Sequence, residues 1–223
     1  GGGTIKFPAG DYLSYSLRLH SHVTLHLSPG SRLIAADPPS LGEPGGYDAP
    51  EENPWNFYQD FGHSYFRNSL IWGEGLENVG ITGSGQIYGR GLSRGNSRIA
   101  APLGSPPPAP IDGLLPDVLV ADGPYDYDPH PLLKPGPFGH PQARDILPAG
   151  TANKAIALKN CRNVTLRDFT ILHGGHFGIF TAGVDNLTID NLTIDTNRDG
   201  MDIDGCSNVR ISNCYINTDD DCV

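Results

Sequence analysis

Three stretches in the last third of the chain decide the fold: NVTLRDFTI at residues 163–171, NLTIDNLTI at 186–194 and NVRISNCYI at 208–216. Each consists of an asparagine followed by apolar residues at positions 2, 4, 7 and 9. Their starts lie 23 and 22 residues apart, and another apolar residue (Ile156, Ile179 or Met201) stands seven positions before each asparagine. The stretch NVGITGSGQI at 78–87 fits the same frame, and HVTLHLSPGSRLI from His22 fits it more loosely. The chain therefore contains several copies of one internal repeat.

The alternation within each copy predicts strands that bury one face, and about 22 residues per copy makes about three short strands. Three strands per turn, repeated at this interval, predict a parallel β-helix in which each coil is stable only when stacked on its neighbours. Equivalent residues on successive coils then lie about 4.8 Å apart. An antiparallel sandwich is the alternative, but hairpins do not generate one fixed register of a single motif.

The repeat also accounts for three apparent glycosylation sequons, which begin at Asn163, Asn186 and Asn191. Two of them fall on the asparagine of the repeat, whose side-chain amide can hydrogen-bond the backbone at a bend. We therefore expect stacked turn asparagines rather than glycans.

Two segments interrupt the repeat, and we expect one β-helix domain over residues 1–223 that contains both. Residues 88–153 hold most of the prolines and no usable periodicity, which predicts an insertion. Residues 37–68 are rich in aromatic residues and proline, and we expect an irregular loop that either walls a groove or packs on its own aromatic rings. Gln59, Asp60 and His63 in that loop are weak site candidates.

Composition excludes several classes of function. A formal net charge of −10 without a Lys/Arg cluster argues against nucleic acid and anionic membranes as partners, and no apolar run approaches the roughly 18 residues of a membrane span. Four cysteines without C-x-x-C spacing make a zinc site unlikely and leave free thiols or a disulfide open. The chain opens without Met, so we expect it to be a piece of a longer protein. Separately, we favour a monomer as its oligomeric state.

Acidic residues gather near the end of the chain. With 22 residues per coil, His176 stacks on Arg198 and Arg198 on Asp220, while Asp199 stacks on Asp221. Carboxylates that close cannot all ionise easily, so one becomes a proton donor beside ionised neighbours. Cleavage of a glycosidic bond needs such an acid together with a base that activates water. A calcium site and plain turn aspartates remain alternatives. The turn interpretation is the one we apply to Asp185, Asp190, Asp195 and Asp219.

The sequence NRDGMD at 197–202, followed by DDCV at 220–223, resembles glycoside hydrolase family 28, the polygalacturonase-like enzymes, which carry N-T-D-G-x-D and then D-D-C-[IV] one coil later. The resemblance implies a right-handed parallel β-helix that hydrolyses pectic polysaccharide with inversion. It makes Asp220 the general acid, lets Asp199 and Asp221 hold and activate the water, and places Asp202 in the adjacent subsite.

The chain departs from the family pattern at several points. Arg198 replaces the motif threonine, and we expect it to pair with a uronate carboxylate, to steer Asp220 or only to balance its acidic neighbours. Asp219 extends the pair to three aspartates, which leaves open which two act. The later G-H-G and R-I-K motifs of the family are missing, so we expect a fragment, open at both ends, that is inactive by itself.

Two further residues are candidates for substrate binding. His176 either lines the sugar cleft or is a plain hydrogen-bonding residue, and Phe180 should point away from the core by parity with Ile179, where it could stack on a sugar face.

The resulting prediction is a hydrolase of galacturonan or rhamnogalacturonan without a cofactor, exo-acting because large loops often close one end of a cleft, and secreted or periplasmic as the family implies. The alternatives are a calcium-dependent polysaccharide lyase and a non-catalytic carbohydrate-binding or adhesin-like β-helix.

Overall fold

The structure is a computed structural model that describes residues 1–40, 43–52, 65–93, 149–196 and 198–223. All regular structure in these residues is β-strand. The strands are β1 (Gly3–Phe7), β2 (Gly10–Ser14), β3 (Leu17–Arg18), β4 (Val23–Leu27), β5 (Ser31–Ala35), β6 (Ile71–Glu74), β7 (Glu77–Thr82), β8 (Gln86–Tyr88), β9 (Lys154–Lys159), β10 (Arg162–Arg167), β11 (Thr170–Leu172), β12 (Phe177–Ala182), β13 (Asp185–Asp190), β14 (Thr193–Asp195), β15 (Asp199–Asp204), β16 (Ser207–Ser212) and β17 (Tyr215–Asn217).

Each coil gives one strand to each of three parallel sheets. Sheet A has the order β1-β4-β7-β10-β13-β16, sheet B the order β17-β14-β11-β8-β5-β2, and sheet C the order β15-β12-β9-β6-β3. Every strand pairs with the strand three positions along the chain, one coil away. The predicted right-handed parallel β-helix is confirmed.

The repeat frame fixes the register. Ile156, Ile179 and Met201 are aligned on neighbouring strands of sheet C, and all three are fully buried in the main core. On sheet A, Val164 is likewise aligned with Leu187. Apolar residues at matching positions therefore stack into the interior, as the periodicity predicts.

The turn asparagines form a ladder on the outside of the helix. Asn78, Asn163, Asn186 and Asn208 all have a positive φ, between 53° and 59°, a conformation that asparagine tolerates better than most residues. The amide of Asn163 donates to Asn78 Oδ1 at 2.9 Å, and that of Asn186 donates to Asn163 Oδ1 at 3.0 Å. The predicted stacking of turn asparagines is confirmed.

Two aspartates at the ends of β13 accept hydrogen bonds from side chains of the next coil. Asp185 accepts hydrogen bonds from Asn208 and Ser207, each at 2.8 Å, which lower the pKa of its carboxyl. Asp190 accepts the equivalent bonds from Asn213 and Ser212, with the same effect on its pKa. The prediction that these two carboxylates have a structural role at turns is confirmed, with side chains of the next coil as the donors described here.

A second apolar cluster lies on the outer face of sheet C and comprises Phe66, Trp72, Ala157, Phe177 and Phe180. The described ends of the irregular segment pack against it. Trp72 Nε1 donates to Asp48 Oδ2 at 2.7 Å, and Glu51 Oε1 accepts the backbone N–H of Phe66 at 2.9 Å. This segment therefore covers part of the outer face of sheet C.

The predicted insertion interrupts the chain between β8, which ends at Tyr88, and β9, which begins at Lys154. Residues 94–148 lie outside the described part of the chain. All four cysteines are free thiols, of which Cys161 is buried.

Among the described residues, no helix is long and apolar enough to cross a membrane.

Candidate active site

Two aspartates from successive coils meet at the last strand of sheet C. Asp199 begins β15, and the segment after β17 runs beside that strand. The backbone N–H of Gly200 donates to the carbonyl oxygen of Asp221 at 2.8 Å, and Met201 donates in the same way to Cys222 at 3.1 Å. Asp221 therefore lies one coil beyond Asp199, as the 22-residue spacing predicts.

A third carboxyl group joins them. Asp199, Asp220 and Asp221 each place one oxygen within 4.8 Å of the other two. Asp199 is buried, with 7% of its surface exposed, whereas Asp220 and Asp221 are exposed. The three side chains, here called the acid cluster, lie together as the 22-residue spacing predicts, and their catalytic role stays a prediction. Asp199 therefore lies at the bottom of the cluster, and Asp220 and Asp221 face solvent.

Glycine at position 200 allows this close approach. A Cβ on Gly200 would lie 2.7 Å from the carbonyl oxygen of Cys222 and 2.8 Å from Ile216 Cγ2, closer than Cβ atoms normally come. One coil earlier, a Cβ on Gly178 would lie 2.7 Å from the carbonyl oxygen of Gly200. The glycine in the D-G-x-D motif thus sets the spacing between Asp199 and Asp221. The sequence analysis assigned no role to Gly200, although its position directly after Asp199 could have indicated one.

Arg198 connects the acid cluster to the coil before it. Its Nη1 lies 3.5 Å from Asp220 Oδ2, and its Nη2 donates to His176 Nε2 at 2.7 Å. The side chain is only 15% exposed. The predicted stack of His176, Arg198 and Asp220 is therefore confirmed, with the guanidinium held between the other two.

His176 lies beneath the acid cluster. It is 3% exposed, and its ring stacks on Phe177 at 4.3 Å. Its Nε2 lies 3.4 Å from Asp199 Oδ2. Of the two interpretations of His176, burial and the stacking of one ring face on Phe177 favour a hydrogen-bonding residue over one that lines the sugar cleft.

Phe180 also needs correction. Its side chain does lie outside the main core, as parity predicts, but it is fully buried. Phe66 stacks on it with 4.6 Å between ring centroids. The ring that was predicted to stack on a sugar is therefore covered by another aromatic ring of the same chain.

Asp202 occupies the position next to the acid cluster on sheet C. It is aligned with Phe180, so the pleat turns its side chain to the outer face. The residue is half-buried. Its placement agrees with a subsite beside Asp199, and a contact with substrate stays a prediction.

A buried lysine side chain lies beneath the site. Lys154 is aligned with Phe177, and thus with the column of Asp199, and it is fully buried. Its Nζ donates to Asn153 Oδ1 at 2.7 Å and lies 5.5 Å from the centroid of the Phe177 ring. The 23-residue spacing from Phe177 places Lys154 in this column, but nothing in the repeat indicates its burial.

The acid cluster also has donor atoms that suit calcium, which prefers carboxylate oxygens and takes six to eight of them. Three carboxylates supply only part of such a shell. The guanidinium 3.5 Å from Asp220 opposes a second cation at that oxygen. The arrangement therefore suits acid–base chemistry better than a calcium site.

Four residues named in the sequence analysis lie outside the described part of the chain: Gln59, Asp60, His63 and Asn197.

Comparison with known proteins gives a family match for part of the chain. Residues 141–223, which include the acid cluster and strands β9 to β17, match the family described as glycosyl hydrolases family 28. A search of curated proteins found no match. The resemblance to this family that the sequence motifs indicate is confirmed.

Solved structures match nearly the whole chain. An exopolygalacturonase of family 28 from Yersinia enterocolitica is 22% identical with a TM-score of 0.58, over 98% of this chain and 38% of its own. A polygalacturonase from Erwinia carotovora ssp. carotovora is 20% identical with a TM-score of 0.59, over 96% of this chain and 48% of its own. A glycosyl hydrolase described as putative, from Parabacteroides merdae, is 19% identical with a TM-score of 0.55, over 96% of this chain and 71% of its own. At these identities the likeness shows the fold, and the chain spans less than half of both polygalacturonases.

Proposed function

From the family 28 match and the acid cluster, we propose that this chain carries the catalytic acids of a glycoside hydrolase that cleaves pectic polysaccharide with inversion. The observation that carries the acid–base chemistry is the convergence of Asp199, Asp220 and Asp221, each of which places one oxygen within 4.8 Å of the other two, whereas inversion rests on the family resemblance alone. The reaction needs one carboxyl group to protonate the leaving oxygen and another to activate water.

The spacing suits a shared water molecule. Two hydrogen bonds of about 2.8 Å from one water, diverging at the tetrahedral angle, end about 4.6 Å apart. Asp199 and Asp221 have oxygens within 4.8 Å of each other, so one water can donate to both. In this proposal the two carboxylates hold the water, and the one that takes its proton makes it the nucleophile.

Asp220 is the general acid in this scheme. Its side chain is half exposed, so the oxygen of a glycosidic bond in solvent can reach it. Asp199, in contrast, is buried at the bottom of the acid cluster. The position of Asp220 in the D-D-C-V motif is what the family resemblance assigns to the acid. Asp202, three residues after Asp199 on β15, is proposed to contact the neighbouring sugar.

Arg198 is proposed to hold Asp220 in place. A guanidinium only donates hydrogen bonds, so Arg198 Nη2 is the donor and His176 Nε2 the acceptor in the 2.7 Å contact. His176 thus fixes one end of the Arg198 guanidinium while the other end faces Asp220. This buried arrangement favours the steering role of Arg198 over a role in binding uronate.

The substrate is proposed to be galacturonan or rhamnogalacturonan. The test uses the complete gene product, because the chain spans less than half of the polygalacturonases that it resembles. Reducing ends released from each polymer are measured for the wild type and for Asp199→Asn, Asp220→Asn and Asp221→Asn. We expect each substitution to lower kcat at least about a hundredfold. Proton NMR of the first product determines whether the anomer is inverted.

Asp219→Asn is the matched control, because Asp219 lies in the same TDDDC sequence but outside the acid cluster. It should keep wild-type activity. If Asp219→Asn inactivates the enzyme and Asp220→Asn does not, the assignment of the acid is wrong. If the wild type cuts neither polymer, the proposed function is wrong although the fold stands.

A calcium-dependent lyase is the second candidate, since the acid cluster offers three carboxylate oxygens. Chelator treatment separates the two. A hydrolase keeps its activity after EDTA and gives products without an unsaturated end that absorbs in the ultraviolet. Loss of activity with EDTA and its return with calcium would establish the lyase instead.

A further inference from the structure

Asp220 lies on a bend of the chain, at residues 218–220, in the segment after β17. Backbone hydrogen bonds tie this segment to the preceding coil on either side of the bend. The N–H of Thr196 donates to the carbonyl oxygen of Asn217 at 3.0 Å, and that of Gly200 donates to the carbonyl oxygen of Asp221 at 2.8 Å. Among the residues that the structure describes, no backbone group of residues 218–220 bonds another backbone group. The bend therefore depends on side chains.

The hydroxyl of Thr218 closes the bend. Its Oγ1 donates to the carbonyl oxygen of Asp220 at 2.9 Å and lies 3.1 Å from Cys222 Sγ. Because a carbonyl oxygen only accepts, the hydroxyl proton points to Asp220, and the thiol of Cys222 is the donor in the second contact. The two hydrogen bonds form a chain from Cys222 through Thr218 to Asp220, which joins the residues on either side of the bend.

The methyl group of Thr218 faces the preceding coil. A Cβ on Gly200 would lie 3.1 Å from Thr218 Cγ2, so this methyl packs beside the backbone that directly follows Asp199. A β-branched side chain has few accessible χ1 rotamers. With its methyl against Gly200, the hydroxyl of Thr218 is therefore directed at the carbonyl oxygen of Asp220.

The preceding coil has a threonine at the same place. Thr196 lies 22 residues before Thr218 and, like it, three residues before an aspartate of the acid cluster. The residue is buried, and its hydroxyl accepts the backbone N–H of Gly174 at 3.0 Å. Threonine thus bonds the backbone at both positions, but only Thr218 acts on the residue that carries the proposed acid.

We propose that Thr218 is a positioning residue for Asp220, and that Cys222 supports it by donating to its hydroxyl. Arg198 faces the carboxylate of Asp220, whereas Thr218 holds the backbone of the same residue, so that the two contacts together define where the carboxyl group stands. Its effect on catalysis rests on the proposed function, in which Asp220 protonates the leaving oxygen. Because proton transfer needs hydrogen-bond geometry, loss of the hydroxyl lowers kcat rather than raising KM.

The test compares Thr218→Val with Thr218→Ser in the complete gene product. Valine keeps the methyl beside Gly200 and removes the hydroxyl, whereas serine keeps the hydroxyl and removes the methyl. With galacturonan and rhamnogalacturonan as substrates, we expect Thr218→Val to lower kcat about three- to tenfold with KM unchanged. Thr218→Ser should keep the wild-type kcat, which a loss of packing at this position would not allow.

Hydrogen exchange of the same variants tests the bend without turnover. The N–H groups of Gly200 and Met201 donate to the carbonyl oxygens of Asp221 and Cys222, so both exchange faster when this segment opens more often. We expect Thr218→Val to speed their exchange severalfold and Thr218→Ser to leave it unchanged. Cys222→Ala should act in the same direction but more weakly, because a thiol is a weak donor.

Thr188→Val and Cys214→Ala are the matched controls. Thr188 lies on β13 of sheet A, and the thiol of Cys214 also donates to a backbone carbonyl oxygen, in the turn before β17. Both variants should keep the wild-type kcat and the exchange rates of the two amides. An unchanged kcat in Thr218→Val, or an equal loss in Thr218→Ser, would overturn the proposal.

The proposed function fails separately. If the wild type cleaves neither polymer but Thr218→Val speeds the exchange of the two amides, the hydroxyl of Thr218 still holds the bend and only the hydrolase is rejected. If the exchange rates are also unchanged, both proposals are wrong.

Discussion

The guanidinium of Arg198 donates to His176 Nε2 at 2.7 Å, and this bond spans two successive coils of the helix. Because His176 is 3% exposed and stacks on Phe177, it is a rigid acceptor. Arg198 in turn lies 3.5 Å from Asp220. A buried side chain is thus connected through Arg198 to the proposed general acid.

The first prediction removes the acceptor. His176→Phe keeps an aromatic ring on Phe177 but cannot accept from Arg198. Since a hydrogen bond to a charged group contributes about 1.5–3 kcal/mol, we expect kcat to fall about ten- to a hundredfold with KM little changed. Arg198→Met should have a similar effect, and the double variant should be no worse than the poorer single variant, because both act through Asp220.

His26→Phe is the control for this series. His26 Nδ1 lies 3.1 Å from Thr82 Oγ1, so the substitution also removes a bond between side chains of different coils, but on sheet A. It should leave kcat unchanged. Additive losses in the double variant would show that His176 and Arg198 act independently.

The second prediction concerns the spacing of the acid cluster. Gly200→Ala puts a Cβ 2.7 Å from the carbonyl oxygen of Cys222, so the last segment must move away from β15. Overpacking of this kind costs about 1–3 kcal/mol of unfolding free energy. We expect kcat to fall more than tenfold, because Asp199 and Asp221 no longer hold one water. Urea unfolding and initial rates measure the two effects.

Gly80→Ala on sheet A is the comparison, since the nearest atoms to its Cβ belong to the Thr24 side chain at 3.0 and 3.2 Å, which can shift. It should keep full activity. Unchanged activity in Gly200→Ala would mean that the close approach of the coils is not needed for catalysis.

The repeat made much of this site predictable. A period of 22 residues is enough to place Asp199 beside Asp221 and Arg198 between His176 and Asp220, because coil height converts distance along the chain into position. It does not predict burial on the outer face. Phe180 is covered by Phe66, which comes from the irregular segment, and the path of such a segment is not contained in any periodicity.

The third prediction tests the corrected role of Phe180. Phe180→Ala should lower the free energy of unfolding by about 3–5 kcal/mol, since the ring is fully buried. Phe180→Leu should keep KM for the polysaccharide, because packing on Phe66 needs bulk rather than a sugar-binding face. Leu13→Ala, at a side chain 64% exposed, should change stability little. A large rise of KM in Phe180→Leu without loss of stability would restore the sugar-stacking role.

The fourth prediction concerns acid unfolding. Hydrogen bonds from Asn208 and Asn213 lower the pKa of Asp185 and Asp190 in the folded chain. The stabilisation by these carboxylates is therefore present above the unfolded pKa of about 3.9 and is lost as the pH falls through the lower folded pKa. Because both carboxylates are exposed to solvent, the wild-type unfolding free energy should fall modestly below about pH 4.

Replacing both carboxylates, Asp185→Asn together with Asp190→Asn, should flatten that drop, because an amide does not titrate and its oxygen can still accept the turn bonds. Urea unfolding at pH 6 and at pH 3 gives the comparison. Asp204→Asn is the matched control, since the Asp204 side chain accepts no hydrogen bond within the described part of the chain. If the double variant loses as much stability between the two pH values as the wild type, the turn carboxylates do not drive acid unfolding, and the ladder is held by its amides alone.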